Sequence, residues 1–169
     1  TRILESLAMS KAVGDASLLL PALFGLWAGR YIGGAPSADL ADRFAALTTA
    51  SAASGEAGVG LRMLALERFH EGRYRASLDL ARQARAAYDA TAHRDLCRRY
   101  ATDPRSNAAA YEAWNLWHLG YPAQAAAAAE EALAWARELD HAPTTSLGLC
   151  HAVGLTGVWR RDVGRVEVV

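Results

Sequence analysis

The chain has 169 residues, 52% of them apolar, enough for one packed domain or one short repeat array and too apolar for general disorder. Its 18 acidic and 18 basic residues cancel, which gives no electrostatic case for nucleic acid or an anionic membrane as a partner. Two cysteines, Cys97 and Cys150, are too few for a disulfide framework, and no apolar run of about 18 residues exists to span a bilayer, so a cytoplasmic protein with reduced thiols is expected.

Helical spacing dominates from the first residues onward. Leu4, Leu7 and Ala8 share one face, which ends near Gly14 and Asp15. Residues 16–33 carry Leu19, Leu20, Leu23, Leu26 and Trp27. Gly33-Gly34-Ala35-Pro36-Ser37 reads as a turn. Asp39 opens a helix that runs to about Ser54, and the stretch Gly55 to Gly60 breaks it or begins the next, reading best as a glycine-rich turn between repeats. The next helix carries Leu61, Leu64, Ala65 and Phe69 and stops at Gly72. Tyr74 to Tyr88 follow, with Leu78, Ala81 and Ala84 on one side. Residues 89–106 are irregular, with a short helix at 93–100. Asn107 to Leu119 and Pro122 to Leu139 are two further helices, and Thr145 to about Arg161 is the last complete one. Strand signals are scarce apart from the final valines.

The helices therefore fall into pairs, at 16–54, 56–89 and 107–140, with a partial one at 145–169, all within a single domain over 1–169. Aligning Gly34, Gly72 and Gly120 brings Pro36, Tyr74 and Pro122 together two residues later. Asp39, Ser77 and Ala125 follow, then Arg43, Ala81 and Ala129, then Ala46, Ala84 and Ala132. A fourth copy begins at Gly164, which spaces the copies 38, 48 and 44 residues apart. In "HLGYPAQAAAAAEEALAWAREL", Ala125, Ala129, Ala132 and Ala136 make a stripe without bulk, where a partner helix can come close. Glu130 and Glu131 read as a solvated face.

This pattern resembles the tetratricopeptide repeat, a helix–turn–helix of about 34 residues with small residues at set positions in its second helix. The resemblance implies an all-α fold: a right-handed superhelical array of antiparallel helix pairs, a TPR-like α-solenoid with about three complete irregular repeats plus partial ends. A closer likeness rests on Tyr88-Asp89 with His93-Arg94, on Tyr100 with Asp103-Pro104, on Leu116-Trp117 with Gly120-Tyr121-Pro122 and Gln124-Ala125, and on Ala136-Arg137-Glu138-Leu139 with His141. Those features are similar to the C-terminal helical-repeat region of large bacterial multidomain regulators. Such regulators join a class III adenylate or guanylate cyclase domain, or a DNA-binding domain, to an AAA-type ATPase module and then to tetratricopeptide-like repeats. The resemblance implies a sensor or scaffold segment, with cyclase or ATPase activity in other parts of the parent. The start at Thr1 and the ending "VGRVEVV" are read in the same way, as the ends of a piece of a larger protein. The arginine-heavy basic complement, with Lys11 the single lysine, points to a GC-rich bacterial genome.

Catalytic and cofactor motifs are weak. Gly55, Gly58 and Gly60 precede Leu61-Arg62, whereas a phosphate loop ends in lysine and serine or threonine. His93 and Cys97 share a helical face, with Cys150-His151 elsewhere, but a closed zinc site needs four ligands, and neither a metal nor another cofactor is expected. Asp103-Pro104 reads as a turn or a helix cap. In tetratricopeptide arrays the first helix of each pair lines the concave groove. That mapping brings Tyr31, Arg62, Met63, Phe69, His70, Asn107, Tyr111, Trp114, Trp117, His118, His151 and Arg161 to one surface. Aromatic rings with a few polar groups suit capture of a protein, a peptide, a small ligand or another domain of the same parent. The same stripe at helical spacing also fits plain inter-repeat core. Two other readings stand beside the binding module: a structural module that forms homodimers through an uncovered end, and an enzyme built on His93 and His118.

Overall fold

The computed structural model describes residues 16–49 and 55–166, and among these every regular element is helical. The expected helix around Leu4 and the segment 50–54 lie outside the described residues. The elements are α1 Ala16–Ile32, α2 Ala38–Thr49, α3 Glu56–His70, α4 Tyr74–Ala86, the single turn α5 Leu96–Arg99, α6 Pro104–His118 and α7 Pro122–Leu139. Then α8 Ala142–Leu147, a π-helical stretch Gly148–Gly154 and α9 Leu155–Arg160 run on without a break, before the short α10 Val163–Val166. Helix α6 begins three residues earlier than its apolar spacing suggests, because Asp103 caps it directly. Its Oδ1 accepts from the Ser106 N–H at 2.8 Å, and Pro104 fills the first turn, where a missing N–H costs nothing.

Successive helices pack on one another: α1 on α2, α2 on α3, α3 on α4, α4 on α6, α6 on α7 and α7 on the π-helical stretch. Contacts also join α3 to α6 and α6 to the π-helical stretch, so the first members of the expected pairs touch one another as well. One apolar cluster gathers Leu23, Trp27, Phe44, Met63, Tyr100, Tyr111 and Trp114. A second gathers Ala109, Ala113, Ala125, Ala129, Ala132, Leu133 and Val153.

One backbone motif closes α1, α3, α6 and α9. In each, a residue at or just past the cap takes a positive φ: Gly34 at 69°, Gly72 at 74°, Gly120 at 86° and Arg161 at 56°. Its N–H bonds the carbonyl three residues back, and the next N–H bonds the carbonyl five residues before itself: Ala35 to Arg30, Arg73 to Arg68, Tyr121 to Leu116 and Asp162 to Gly157, all at 2.8–2.9 Å. This is the Schellman cap, which satisfies carbonyls that the helix end would orphan. The fourth such turn is therefore at Arg161 and not at Gly164, where a search for glycine places it. An arginine holds the left-handed conformation there at a steric cost of roughly 1–2 kcal/mol.

Two more expectations need correction. The first is the register of α2. Asp39, Arg43 and Ala46 are exposed, while Leu40, Ala41, Phe44 and Thr48 are buried. Helices α4 and α7 start two residues after their turn glycines, but α2 starts four after Gly34. Those two extra residues shift the buried stripe by the same amount, so Ala41 and Thr48 take the places held by Ser77 and Ala84 in α4. The second concerns Gly55–Gly60. Only Gly55 is left-handed, at φ 68°, and Gly58 and Gly60 lie inside α3. They are sites of close approach: a Cβ on Gly60 would stand 3.1 Å from Ala45 Cα, and one on Gly58 would stand 3.3 Å from the Ala84 carbonyl oxygen.

The alanine stripe is inside. Ala125, Ala129, Ala132 and Ala136 are all buried, against Ala109, Ala110 and Ala113 of α6. Ser106 reinforces the crossing by donating to the Ala132 carbonyl at 3.0 Å, and Ser77 does the same between α4 and the Ala65 carbonyl of α3 at 2.7 Å. Glu131 is not merely solvated, since it pairs with Arg85 and, at 3.8 Å, with Arg105.

Candidate ligand-binding face

Rings from α1, α3, α6 and α9 meet in one unbroken series. On α1, Phe24, Trp27 and Tyr31 recur at helical spacing, and Trp27 and Tyr31 stack at 5.6 Å with 14° between planes. The Tyr31 hydroxyl and His70 Nε2 lie 2.8 Å apart, which carries the series onto the last turn of α3. Phe69 beside it touches Tyr74, Tyr111, Trp114 and His118. Trp159 of α9 then packs on Trp114 and His118 and stacks on Trp117 at 5.8 Å. The Trp114 indole donates to the His151 carbonyl at 2.7 Å, anchoring the π-helical stretch.

The residues expected to face a groove divide by depth. Tyr31, Phe69 and Trp117 are half-buried, and His70, His118, His151 and Arg161 are exposed. Arg62, Asn107, Tyr111 and Trp114 are buried, with Met63 wholly inside. Arg161 occupies the last Schellman turn, away from the ring contacts. Arg62 lies under α1, its guanidinium carbon 5.1 Å from the Phe24 ring centre and 6.0 Å from that of Trp27. Arg62 Nη1 donates to Thr102 Oγ1 at 3.5 Å, and Asn107 Nδ2 donates to the same oxygen at 3.2 Å. Burial lowers the Arg62 pKa to about 10. Its Nε and Nη2, and Asn107 Oδ1, have no hydrogen-bond partner among the described residues. The polar pair that a carboxylate-holding groove would use is therefore internal.

Other polar groups do reach the surface. A cleft of about 450 Å³ opens between the end of α1, the turn after it and α3. Tyr31, Ile32, Ala35, Pro36, Ser37, Glu67 and His70 line it. Glu67 Oε1 accepts from the Trp27 indole at 2.7 Å and from the Ser37 hydroxyl at 2.6 Å. No ion pair reaches Glu67 among the described residues. Burial raises the Tyr31 pKa, and the nearby Glu67 charge adds to the rise. Sequence reasoning missed Glu67, Trp27, Tyr74 and Trp159. The i, i+4 spacing of Trp27 and Tyr31 and the i, i+3 spacing of Glu67 and His70 are the signals that mark a shared face.

Elsewhere, Arg82, Arg85 and Arg105 border a shallow cleft of about 320 Å³. Arg82 and Arg85 are held there by Glu112, Arg85 and Arg105 by Glu131, and Arg105 also covers Trp135. His93 and His118 belong to separate clusters. His93 Nδ1 accepts from the Asp89 N–H at 2.9 Å and its ring meets Tyr88, whereas His118 sits among Phe69, Tyr74 and Trp159. Cys97 is buried and Cys150 exposed, both as free thiols, and among the described residues no three His, Cys, Asp or Glu side chains gather as a metal site. No described helix is long and apolar enough to cross a membrane. No known family model, curated protein or solved structure matches the chain.

Proposed function

We propose that this chain is a non-catalytic binding segment that captures a protein, a peptide or another domain of its own parent chain on the aromatic face of α1, α3, α6 and α9. In this reading the helices form a right-handed, tetratricopeptide-like superhelical array of about three irregular repeats, a cytoplasmic sensor or scaffold of a bacterial signalling ATPase or cyclase-type regulator. The observation that carries the reading is the continuity of the rings: half-buried Tyr31, Phe69, Trp117 and Trp159 are linked across four helices through His70, Trp114 and His118, with a polar cleft at one end. Rigid, half-exposed aromatic rings bind at low entropic cost. The recurrent Schellman turns and the contacts of α3 with α6, and of α6 with the π-helical stretch, support the array. The test is a titration of ¹⁵N-labelled protein with an arrayed peptide library. Ligands should shift the indole N–H signals of Trp117 and Trp159 and lose affinity in Trp117→Ala. Hits that shift only Trp135, on the other helix set, would refute it.

A second reading, an oligomerisation module, is favoured by one observation. Val158, Val163 and Val166 of α9 and α10 are each exposed, Val163 to 66%. Light scattering at high concentration tests it, and a strict monomer removes it.

A further inference from the structure

We propose that the cleft between α1 and α3 holds a cationic side chain of a bound peptide, with Glu67 as its counter-ion. The inference rests on the binding-face reading and names the chemistry at one end of that face. Glu67 receives hydrogen bonds from two neutral donors, Trp27 and Ser37, both on Oε1. Those bonds fix the carboxylate in place without neutralising it. Oε2 accepts nothing among the described residues. The neighbouring arginines are already committed elsewhere: Arg30 pairs with Asp39 at 3.2 Å, and Arg68 with Glu71 at 2.8 Å and Asp42 at 4.0 Å. The cleft therefore presents one oriented negative charge with no ion pair among the described residues.

Its walls suit the rest of a basic side chain. The Tyr31 ring, held by its stack on Trp27, offers a π face to a cation. Ala35 and Pro36 offer apolar surface to an aliphatic stem. The cleft, about 450 Å³ and open to solvent, has room for one long side chain. A guanidinium or ammonium against Oε2 makes a charge-assisted hydrogen bond in a partly desolvated place.

The probes are three capped pentapeptides with glycines flanking a central arginine, lysine or neutral citrulline. The reporter is the Trp27 indole N–H, which is bonded to Glu67; the indoles of Trp117 and Trp159 report the rest of the face, and that of Trp135 is the reference. The arginine and lysine peptides should shift the Trp27 signal saturably and more weakly at high salt. The citrulline peptide should bind about tenfold more weakly or worse, as loss of a charged hydrogen bond implies. Glu67→Gln keeps an acceptor for Trp27 and Ser37 and should weaken the arginine peptide by a similar factor. Equal binding of citrulline, unchanged binding in Glu67→Gln, or a silent Trp27 signal with all three peptides overturns the proposal. Should Glu67→Gln misfold, the arginine–citrulline comparison on the unmodified chain decides alone. Library ligands that shift Trp117 and Trp159 but never Trp27 remove the cation site and leave the wider face standing. Ligands that shift none of the three remove both.

Discussion

Replacing Ala129 by phenylalanine puts a ring where α6 and α7 touch. Ala129 is 1% accessible, and the facing residues include Ala109, Ala110 and Ala113. Alanines have no rotamer to turn aside, so a ring there can be admitted only by separating the two backbones. Overpacking of this kind costs about 1–3 kcal/mol, and more where nothing yields. For a chain of this size each kcal/mol lowers the melting temperature by about 2–4 °C, which gives a drop of about 2–12 °C. Ala127, two residues away on α7, is exposed and supplies the control. Phenylalanine there carries the same loss of helix propensity, ~0.5 kcal/mol, without the collision. Thermal and urea unfolding followed by far-UV circular dichroism measure both variants. Equal destabilisation of the two would refute the packing argument, because propensity would then explain everything.

Three further outcomes are expected. Arg161→Gly relieves a left-handed arginine and should stabilise the chain by about 1 kcal/mol, whereas Gly120→Ala should cost about the same, both read by urea unfolding. Arg62→Met removes a buried guanidinium with two unpartnered nitrogens and should raise stability by about 1–4 kcal/mol at neutral pH; a clear loss would show that the Thr102 bond and ring contacts dominate. The same variant should respond differently to alkali. Burial raises the pKa of the Tyr100 and Tyr111 hydroxyls, so the stability they supply is intact below pH 10 and falls above it, by ~1.4 kcal/mol per pH unit for each. Arg62, lowered by burial from 12.5 to about 10, acts in the opposite sense, because above pH 10 the unfolded chain holds the proton that the folded chain releases. These three groups leave a net loss of ~1.4 kcal/mol per pH unit in the unmodified chain and ~2.8 in Arg62→Met. Equal slopes from urea unfolding across this alkaline range would show that Arg62 does not titrate there.

Much of the helical framework is legible in the sequence because its signals are local. Gly72 and Gly120 end helices by turning the next N–H, of Arg73 and Tyr121, onto a carbonyl five residues back, and Pro122 starts the next helix in its first turn. The failures came where a local signal was either absent or ambiguous. Arg161 makes the same turn without glycine, so glycine spacing points past it to Gly164. Gly58 and Gly60 look like a turn but serve a crossing, and only the distance to Ala45 or Ala84 separates the two uses. The two-residue lengthening of the turn at Ala35-Pro36-Ser37 reverses which face of α2 is buried, a consequence visible only once Phe44 is in the core.

The candidate site was harder to read for a different reason. Aromatic residues recur on the first helix of each pair, and that much is written in spacing. Which of them stay at the surface depends on how the neighbours fill the interior: Trp114 is absorbed by its bond to the His151 carbonyl and by Tyr111, while Trp117, one turn on, lies half open against Trp159. Charge obeys the same logic. Arg62, the cation closest in sequence to Glu67 among those expected on the face, is buried under Phe24 and Trp27, and Arg30 and Arg68 turn to Asp39, Asp42 and Glu71. What distinguishes Glu67 is that Arg30, Arg62 and Arg68, the nearby arginines among the described residues, are each engaged elsewhere. No short motif encodes that, because it is a property of the whole set of pairings. A carboxylate left over by such an assignment, and held still by two neutral donors, is where a ligand's charge would be felt most strongly.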